Sequence, residues 1–363
     1  MKEDSHNKRV FRWRWYNTLA LAPLLLWLLV SAWQAVMRVE AEGRAAARAA
    51  LGTQVAIDKN CLLENGITGR YSGRLAFAND GEMTIFDLDT LDYVTRSPIN
   101  VMTDADWSPL SGSQLVFGQF GVHLLDTTSW EVTQIADGRF PSWSPDGRQI
   151  AYQYRGQPSG IYILTLSSGA RRLLPIERLN EVSVPSQPAW SPDGVTLAFV
   201  MSDGNGLEVF RVPVTCDETN CPITQLTNAP EQSYDPAWSP DGERIAFTSN
   251  RNGSWAIYTM NADGSDVEQL TTSTTHSDFS PTYSPDGQHI AFDRGDQRIT
   301  GPRARNIHIM RTDGSEITCI SSQAGSDPDW TDLPALGAIA FDQPLGSVGM
   351  DGVDGRDDGM INR

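Results

Sequence analysis

Several aspartates stand just before a recurrent strand-forming segment that ends in an aromatic residue. They are Asp104, Asp106, Asp235, Asp278, Asp327 and Asp329. If these segments converge on one axis, some of the carboxylates meet in a negative ring that takes up a cation or a basic partner. Carboxylates are also common on the solvated loops of an acidic chain, so an acidic rim without a ligand is the alternative. We treat the first five as candidate binding residues.

Side chains suited to catalysis are few and scattered. The chain contains no G-x-S-x-G nucleophile elbow, and a metal hydrolase or lyase would need clustered histidines, or histidines beside carboxylates. Beyond the N-terminal His6, the histidines are His123, His276, His289 and His308. His289 and His308 fall in one repeat unit and form a metal site only if they face each other across adjacent strands. We predict no catalytic residue, no metal site and no cofactor.

Charge is distributed unevenly along the 363 residues. The net charge is −17, yet the first fourteen residues hold five basic side chains against two acidic ones. The remainder is strongly acidic and lacks a basic stripe interleaved with aromatic residues, which excludes nucleic acid as a partner. With 31 glycines, 21 prolines and 40% apolar residues, the composition indicates a turn-rich globular domain with a sizeable core.

The candidate aspartates belong to a repeated unit, seen most plainly as PAWSPDGVTLAF at 188–199 and PAWSPDGERIAF at 236–247. Related copies are PSWSPDGRQIAY from Pro141, PTYSPDGQHIAF from Pro281 and a degraded ADWSPLSGSQLVF from Ala105. The aromatic position recurs at intervals of 36, 47, 48, 45 and 47 residues. It is occupied by Trp107, Trp143, Trp190, Trp238, Tyr283 and Trp330. These intervals are typical of a four-stranded sheet repeated around an axis.

Each unit reads as four short strands joined by tight turns. An aromatic-ended strand is followed by Ser-Pro-Asp-Gly, whose Pro and Gly favour a hairpin turn, and then by Ile-Ala-Phe or a close variant. An alternating run such as 257–260 and a last short strand such as 267–271 complete the unit. One such sheet cannot bury both of its apolar faces, whereas radial stacking lets each sheet cover its neighbours. The sequence therefore predicts a closed β-propeller.

The two ends of the repeat region complement each other. Residues 73–95 supply three strands without the aromatic-ended strand, and Pro328-Asp329-Trp330 supplies that strand from the other end of the chain. Pairing them closes the ring and gives an all-β, six-bladed β-propeller. Residues 339–341 (Ile-Ala-Phe) resemble the second strand of a further unit. A seven-bladed propeller is therefore the alternative.

The units resemble the repeat of the TolB family, a periplasmic component of a bacterial envelope system. The resemblance rests on Trp-Ser-Pro-Asp-Gly followed by Ile-Ala-Phe and Ile-Tyr-x-Met, and it covers about 73–330. It implies the propeller fold, while related propellers dock proteins, accompany serine peptidases or cleave pectin fragments. Members of the TolB family are expected to be soluble proteins with an α/β domain before the propeller. In the present sequence an apolar segment precedes the first blade instead. We therefore predict a TolB-like relative rather than TolB.

An uncharged segment at 15–37 predicts one transmembrane helix. Its 23 residues suffice to cross a bilayer, and aromatic residues stand near both ends. Basic residues precede it, so the N-terminus is predicted to be cytoplasmic and the large domain external. A cleaved signal peptide with a late site at 39–41 is the alternative. The predicted organisation is a basic cytoplasmic segment at 1–14, the helix at 15–37, a stalk at 38–72, the propeller at 73–342 and a flexible acidic tail at 343–363.

The four cysteines form an even set without C-x-x-C spacing. Cys216 and Cys221 flank a short polar loop, which suits a local disulfide in an oxidising compartment; two separate thiols in a reduced protein are the alternative. In a closed ring, Cys61 before the first blade neighbours Cys319 on the outer strand of the last. We therefore predict a second disulfide between Cys61 and Cys319.

Taken together, these patterns predict a membrane-anchored propeller outside the cytoplasm, periplasmic or extracellular, which acts as a protein-binding or scaffolding module of the bacterial cell envelope. Its predicted partner is a protein or an envelope polymer. The alternative is an envelope lyase or hydrolase that acts on a polysaccharide or peptide at the mouth of the propeller channel. Such an enzyme would use His276 or His289 together with a channel carboxylate.

Overall fold

The computed structural model describes residues 70–79, 81–95, 103–118, 120–177, 183–297 and 305–333. These residues form six four-stranded antiparallel sheets, which confirms the predicted all-β, six-bladed propeller. The predicted transmembrane helix at 15–37 lies outside the described residues, as do the tail at 343–363 and most of the stalk. Within the described ranges, no helix has the length and apolar character needed to cross a membrane.

The blades follow one another along the chain, each from an inner to an outer strand. Blade 1 contains β24 (Ser326–Thr331), β1 (Arg74–Asn79), β2 (Glu82–Asp87) and β3 (Asp92–Thr95). Blade 2 contains β4 (Thr103–Trp107), β5 (Gln114–Gly118), β6 (Val122–Asp126) and β7 (Val132–Ala136). Blade 3 contains β8 (Arg139–Trp143), β9 (Gln149–Tyr154), β10 (Gly160–Thr165) and β11 (Ala170–Leu173).

The remaining three blades repeat this order. Blade 4 contains β12 (Ser186–Trp190), β13 (Thr196–Ser202), β14 (Leu207–Pro213) and β15 (Thr224–Gln225). Blade 5 contains β16 (Ser233–Trp238), β17 (Arg244–Ser249), β18 (Ala256–Asn261) and β19 (Glu268–Gln269). Blade 6 contains β20 (His276–Tyr283), β21 (His289–Asp296), β22 (Arg305–Arg311) and β23 (Thr318–Ala324). Consecutive inner strands contact each other around the ring.

The Ser-Pro-Asp-Gly segments form the hairpin turns between first and second strands, as blade 5 illustrates. The Ser239 hydroxyl donates to Asp241 Oδ1 at 2.6 Å and accepts the Arg244 N–H at 2.9 Å. Gly242 lies at φ +74° and donates its N–H to the Ser239 carbonyl at 2.9 Å. Serine, aspartate and glycine thus each satisfy a separate requirement of the turn, which is why the motif recurs.

The core consists of six apolar clusters, each shared by two neighbouring blades. In one of them, Ile161 and Ile163 of blade 3 pack with Phe199 and Phe210 of blade 4. In another, Phe77 and other residues of blade 1 pack with blade 6. Burial of each large apolar side chain contributes about 1.5–3 kcal/mol. Because every cluster needs both blades, the ring is stable only when it is closed.

Closure occurs in blade 1, where the C-terminal strand β24 pairs with β1. Trp330 lies opposite Leu75, in the same register as Trp238 opposite Ile245 in blade 5. The Trp330 indole N–H donates to the Ser72 carbonyl at 3.0 Å. This pairing joins the two ends of the repeat region as the sequence predicts.

Cys216 and Cys221 form the predicted disulfide, with Cα atoms 4.6 Å apart. The bond closes the loop that follows β14, and Arg172 of blade 3 supports that loop by donating to the Val214 carbonyl at 2.7 Å. Cys319 is also disulfide-bonded. Cys61 lies outside the described residues, so its pairing with Cys319 stays a prediction.

Two turn glycines with similar backbone conformations permit a matched test of the packing between blades. A Cβ added to Gly314 (φ +80°) would lie 2.5 Å from the Leu270 carbonyl oxygen of the neighbouring blade, whereas one added to Gly253 (φ +91°) would meet nothing within 4 Å. Both alanine variants incur the left-handed backbone cost of about 1–2 kcal/mol. We expect Gly314→Ala to lower the free energy of unfolding by a further 1–3 kcal/mol or so in denaturant melts. Equal losses in the two variants would contradict the close approach at Gly314.

Candidate binding site at the channel mouth

Each inner strand contains an irregularity of register. At this point one residue has a positive φ, between +48° and +60°, and it stands directly before proline in five of the six strands. We call these six residues the mouth ring: Asp104, Phe140, Gln187, Asp235, Ser280 and Asp327. A β-bulge redirects the side chain at the irregular position. All six residues line one cavity of about 200 Å³ on the propeller axis.

A second set of six side chains lines the same cavity two residues further along each inner strand. We call it the inner ring: Asp106, Ser142, Ala189, Ala237, Thr282 and Asp329. Its polar members hydrogen-bond to the adjacent blade. For example, the Trp143 backbone N–H donates to Asp106 Oδ2 at 2.5 Å, and Trp190 N–H donates to Ser142 Oγ at 3.4 Å. The inner ring therefore joins neighbouring blades as well as lining the cavity.

The structure brings together four of the five predicted binding residues. Asp104, Asp106, Asp235 and Asp327 line the cavity. Asp278 is absent from this lining; it is 1% exposed and receives two hydrogen bonds from Arg294, at 2.7 and 2.8 Å. It stands three residues before the blade's proline, and the residue directly before that proline is Ser280. The side chains that line the channel are those at the irregular position with positive φ, which precedes proline in every blade but blade 2.

Part of the mouth ring is joined by side-chain hydrogen bonds. Gln187 Nε2 donates to Asp235 Oδ1, and the Asp235 N–H donates back to Gln187 Oε1 at 3.3 Å. The Ser280 hydroxyl lies 2.8 Å from Asp327 Oδ1 and 3.4 Å from Asp235 Oδ2. Blades 4, 5, 6 and 1 thus present a connected polar arc.

Two residues of blade 6 that no sequence pattern indicated adjoin the mouth ring, although neither lines the cavity. Asp293 on β21 is fully buried and accepts the Asp327 N–H at 3.3 Å. Arg305 on β22 pairs with it, with Nη1 3.2 Å from Asp293 Oδ2, and its guanidinium carbon lies 3.8 Å from the centre of the Phe279 ring. Neither residue belongs to an inner strand, so the repeat pattern did not indicate that they lie near the channel.

An aromatic group lies next to the mouth ring, because Tyr234 and Phe279 directly precede Asp235 and Ser280. Tyr234 and Trp255 have ring centres 4.9 Å apart, and Trp255 and Phe279 are 5.6 Å apart. We call these three residues the aromatic rim. Because Phe279 also carries Arg305, the rim is continuous with the charged residues of the mouth.

Carboxylates outnumber basic groups around this channel. Burial raises the pKa values of several of them. Desolvation, followed by the charge of Asp327, raises the pKa of Asp235 to about 7. Desolvation raises the pKa of Asp293 to about 8 despite the opposing charge of Arg305. The pKa of Asp327 is raised as well, mainly by desolvation. Such shifts indicate carboxyl groups that are withdrawn from water, where the ionised form is disfavoured.

The two histidines of blade 6 that could have formed a metal site do not face each other. His308 lies opposite Phe292, and His289 lies opposite Arg311 three positions along the ladder, a separation of about 10 Å along the strand. Burial lowers the pKa of His308 to about 4. Among the described residues, no group of three His, Cys, Asp or Glu side chains is arranged to hold a metal ion.

Comparison with known families decides the relationship suggested by the repeat. Residues 118–334 match the family model of the TolB β-propeller domain. The chain belongs to the TolB β-propeller family. The TolB-like resemblance seen in the repeat is therefore confirmed, and the match includes the inner strands of blades 3 to 6 and the closing strand of blade 1.

Individual TolB proteins are related more distantly. The chain is 44% identical over 66 residues to the Tol-Pal system protein TolB of Alcanivorax borkumensis, a match that spans 17% of this chain and 14% of that protein. The structure of TolB from Acinetobacter baumannii is similar with a TM-score of 0.59 and 21% identity, covering 73% of this chain and 68% of that one. A putative TolB from Agrobacterium tumefaciens gives a TM-score of 0.55 and 25% identity, covering 71% and 92%. The propeller is thus the shared part.

Proposed function

We propose that this TolB-like propeller is a protein-binding module of the bacterial cell envelope and that it binds its partner at the mouth of the channel. The observation that carries the proposal is the 200 Å³ cavity lined by the aspartates of the mouth ring. Tyr234 and Phe279 of the aromatic rim directly precede Asp235 and Ser280 of the mouth ring. Aromatic side chains provide rigid contact area at protein interfaces. A recessed charged cavity beside them provides specificity.

The charges at the mouth favour a partner that presents a basic segment. Arg305 is already engaged by Asp293, and the carboxylates of Asp235 and Asp327 carry raised pKa values. A lysine, arginine or amino-terminal group placed beside these aspartates would stabilise their ionised forms. Binding of a basic segment is therefore accompanied by release of protons from the channel.

The location follows from sequence features outside the propeller. We propose a membrane anchor at 15–37 with the basic segment in the cytoplasm, which places the propeller in the periplasm or outside the cell. The disulfide between Cys216 and Cys221 is compatible with an oxidising compartment. The enzyme alternative requires His276 or His289 beside a channel carboxylate, and neither histidine is among the residues that line the cavity.

Site-specific photocrosslinking in cells tests the proposed binding face. Phe120, which is 80% exposed, and Asn252 lie in loops that follow second strands, at the end of the propeller that carries the mouth ring. Leu110 and Val195 are exposed in first-to-second-strand turns at the opposite end. A photoreactive residue at either of the first two positions is expected to capture a defined protein. The two opposite positions serve as controls and are expected to give no such adduct.

A charge-matched pair of double variants tests the role of the aspartates. At pH 8, Asp235→Asn with Asp327→Asn is expected to lower the crosslinking yield from Phe120 at least about tenfold, since a buried charge pair loses one partner. Asp193→Asn with Asp241→Asn removes the same charge from turns at the opposite end and is expected to leave the yield unchanged. Equal adducts from both ends, or none from the mouth, would refute the proposed function.

A further inference from the structure

Two inner-ring carboxyls meet where the ring closes. Asp329 lies on β24 of blade 1 and Asp106 on β4 of blade 2, and the two carboxyls lie close enough for a direct hydrogen bond. Asp329 Oδ2 also accepts the Trp107 N–H at 2.7 Å, and Asp106 Oδ2 accepts the Trp143 N–H at 2.5 Å. Thr282 of blade 6 donates to Asp329 Oδ1 at 3.1 Å. One series of hydrogen bonds therefore runs through four consecutive blades.

The central link of this series requires a proton. A carboxylate only accepts hydrogen bonds, so two of them bond directly only when one is protonated. The pair then carries a single negative charge, as in other buried carboxyl pairs that share a site. Desolvation raises the pKa of both groups, and the charge of Asp329 adds to the rise at Asp106. The shared proton belongs to the pair rather than to either residue alone.

We propose that Asp106 and Asp329 form a proton-dependent clasp across the closure of the propeller, and that loss of the shared proton loosens blade 1 from blade 2. The position is critical because β24 is the strand that joins the C-terminal end of the repeat region to β1. The clasp also contacts the strand of Trp143, so its opening affects the neighbouring inner strand β8. The proposal concerns the integrity of the ring and is independent of which partner binds.

The charged groups around the clasp favour retention of the proton. Three further carboxyls line the same cavity and a fourth accepts the Asp327 N–H. Two guanidiniums of the adjoining blades are engaged elsewhere: Arg305 pairs with Asp293, and Arg74 donates to the Leu333 carbonyl at 2.6 Å and stacks on Trp107. The carboxyls are those of Asp104 on β4, Asp327 on β24, Asp235 on β16 and Asp293 on β21. The polar neighbours from β8 and β20 are Ser142 and Thr282. Ionisation of both clasp residues would place a second charge in an already negative channel.

The direction of the pH effect follows from the direction of the pKa shifts. The closed form holds its proton more tightly than an opened form, in which the carboxyls regain their ordinary pKa near 4. Below that pH both forms are protonated and the closing equilibrium is constant. As the pH rises from there towards the raised pKa values, the opening constant increases about tenfold per pH unit for one proton. Mildly acidic conditions therefore hold the ring closed more firmly than alkaline ones.

Hydrogen exchange followed by mass spectrometry on the full-length chain measures this opening locally. Between pH 5.5 and 8.5, with the chemical exchange rate corrected for pH, protection of peptides that contain β4 is expected to fall at least about tenfold. Peptides that contain β24 are left out of the comparison because Asp327 on that strand also has a raised pKa. In Asp106→Asn, the amide donates to Asp329 without a dissociable proton, so this extra loss of protection disappears. Asp146→Asn, in an exposed turn of blade 3, is the control and retains the wild-type pH dependence.

The result separates a proton-dependent clasp from a merely structural contact. A structural contact predicts that Asp106→Asn lowers protection by the same factor at every pH, with the wild-type slope intact. That outcome, or protection of β4 that does not depend on pH in the wild type, overturns the proposal. Should Asp106→Asn fail to fold, Asp329→Asn provides the same test, because its amide also bonds to Asp106 without a shared proton.

Discussion

Arg294→Ala is expected to lower the free energy of unfolding by about 3–5 kcal/mol. The Arg294 guanidinium donates to both oxygens of Asp278, at 2.7 and 2.8 Å, and Asp278 is 1% exposed. Removal of the guanidinium leaves a buried carboxylate without its counter-ion, which is the costly way to disrupt such a pair. Denaturant melts of the full-length chain, read by tryptophan fluorescence, measure the loss.

Arg311→Ala provides the matched comparison in the same blade. Arg311 Nε lies 3.4 Å from Glu316 Oε1, and both side chains are about half exposed. Exposed ion pairs contribute about 1 kcal/mol or less because water screens them. If the two alanine variants lose the same stability, the pairing of Arg294 with Asp278 is not buried as described.

Trp143→Ala is the second change with a large expected effect, again about 3–5 kcal/mol. Trp143 is 5% exposed and packs in the apolar cluster shared by blades 2 and 3. The control is Trp255→Ala, in the aromatic rim, where the ring is only partly buried and contacts Tyr234 and Phe279. We expect that variant to lose about 1–2 kcal/mol, close to the value of aromatic pair contacts.

The two tryptophan variants also test the assignment of the repeat to the structure. Comparable losses in denaturant melts would show that Trp143 does not lie between blades. Trp238 occupies the equivalent position in blade 5 but is only partly buried, although its indole N–H donates to the Ala189 carbonyl at 3.2 Å. The loss of unfolding free energy in Trp238→Ala should therefore lie between the losses in Trp143→Ala and Trp255→Ala. The repeat alone would predict equal losses for Trp143 and Trp238.

The fold could be predicted from the sequence because its information is local and repeated. Each Ser-Pro-Asp-Gly segment specifies a hairpin, and its recurrence specifies how many sheets stack. The incomplete units at the two ends of the repeat region indicated the closure that pairs Leu75 with Trp330. The disulfide between Cys216 and Cys221 was predictable for the same reason, since the two residues flank one short loop.

The site was only partly predictable because its geometry depends on a backbone detail and on distant strands. Asp278 and Ser280 are two residues apart, and only the bulge before the proline decides which of them joins the mouth ring. Asp293 and Arg305 reach the mouth from the second and third strands of blade 6, where nothing in the local sequence distinguishes them. The anchor, the stalk and the binding role of the aspartates stay predictions.

The bulges of the inner strands keep one backbone conformation with chemically different side chains, which bears on how such proteins acquire new ligands. The same left-handed conformation carries a carboxylate at Asp235, an amide at Gln187, a hydroxyl at Ser280 and a benzyl group at Phe140. β-Branched residues are disfavoured there, but most other side chains are compatible with the fixed frame. The side chains at these six positions can therefore be exchanged while the backbone is kept. A library that varies them among residues without β-branching would change the ligand-binding surface and leave the register of each blade intact.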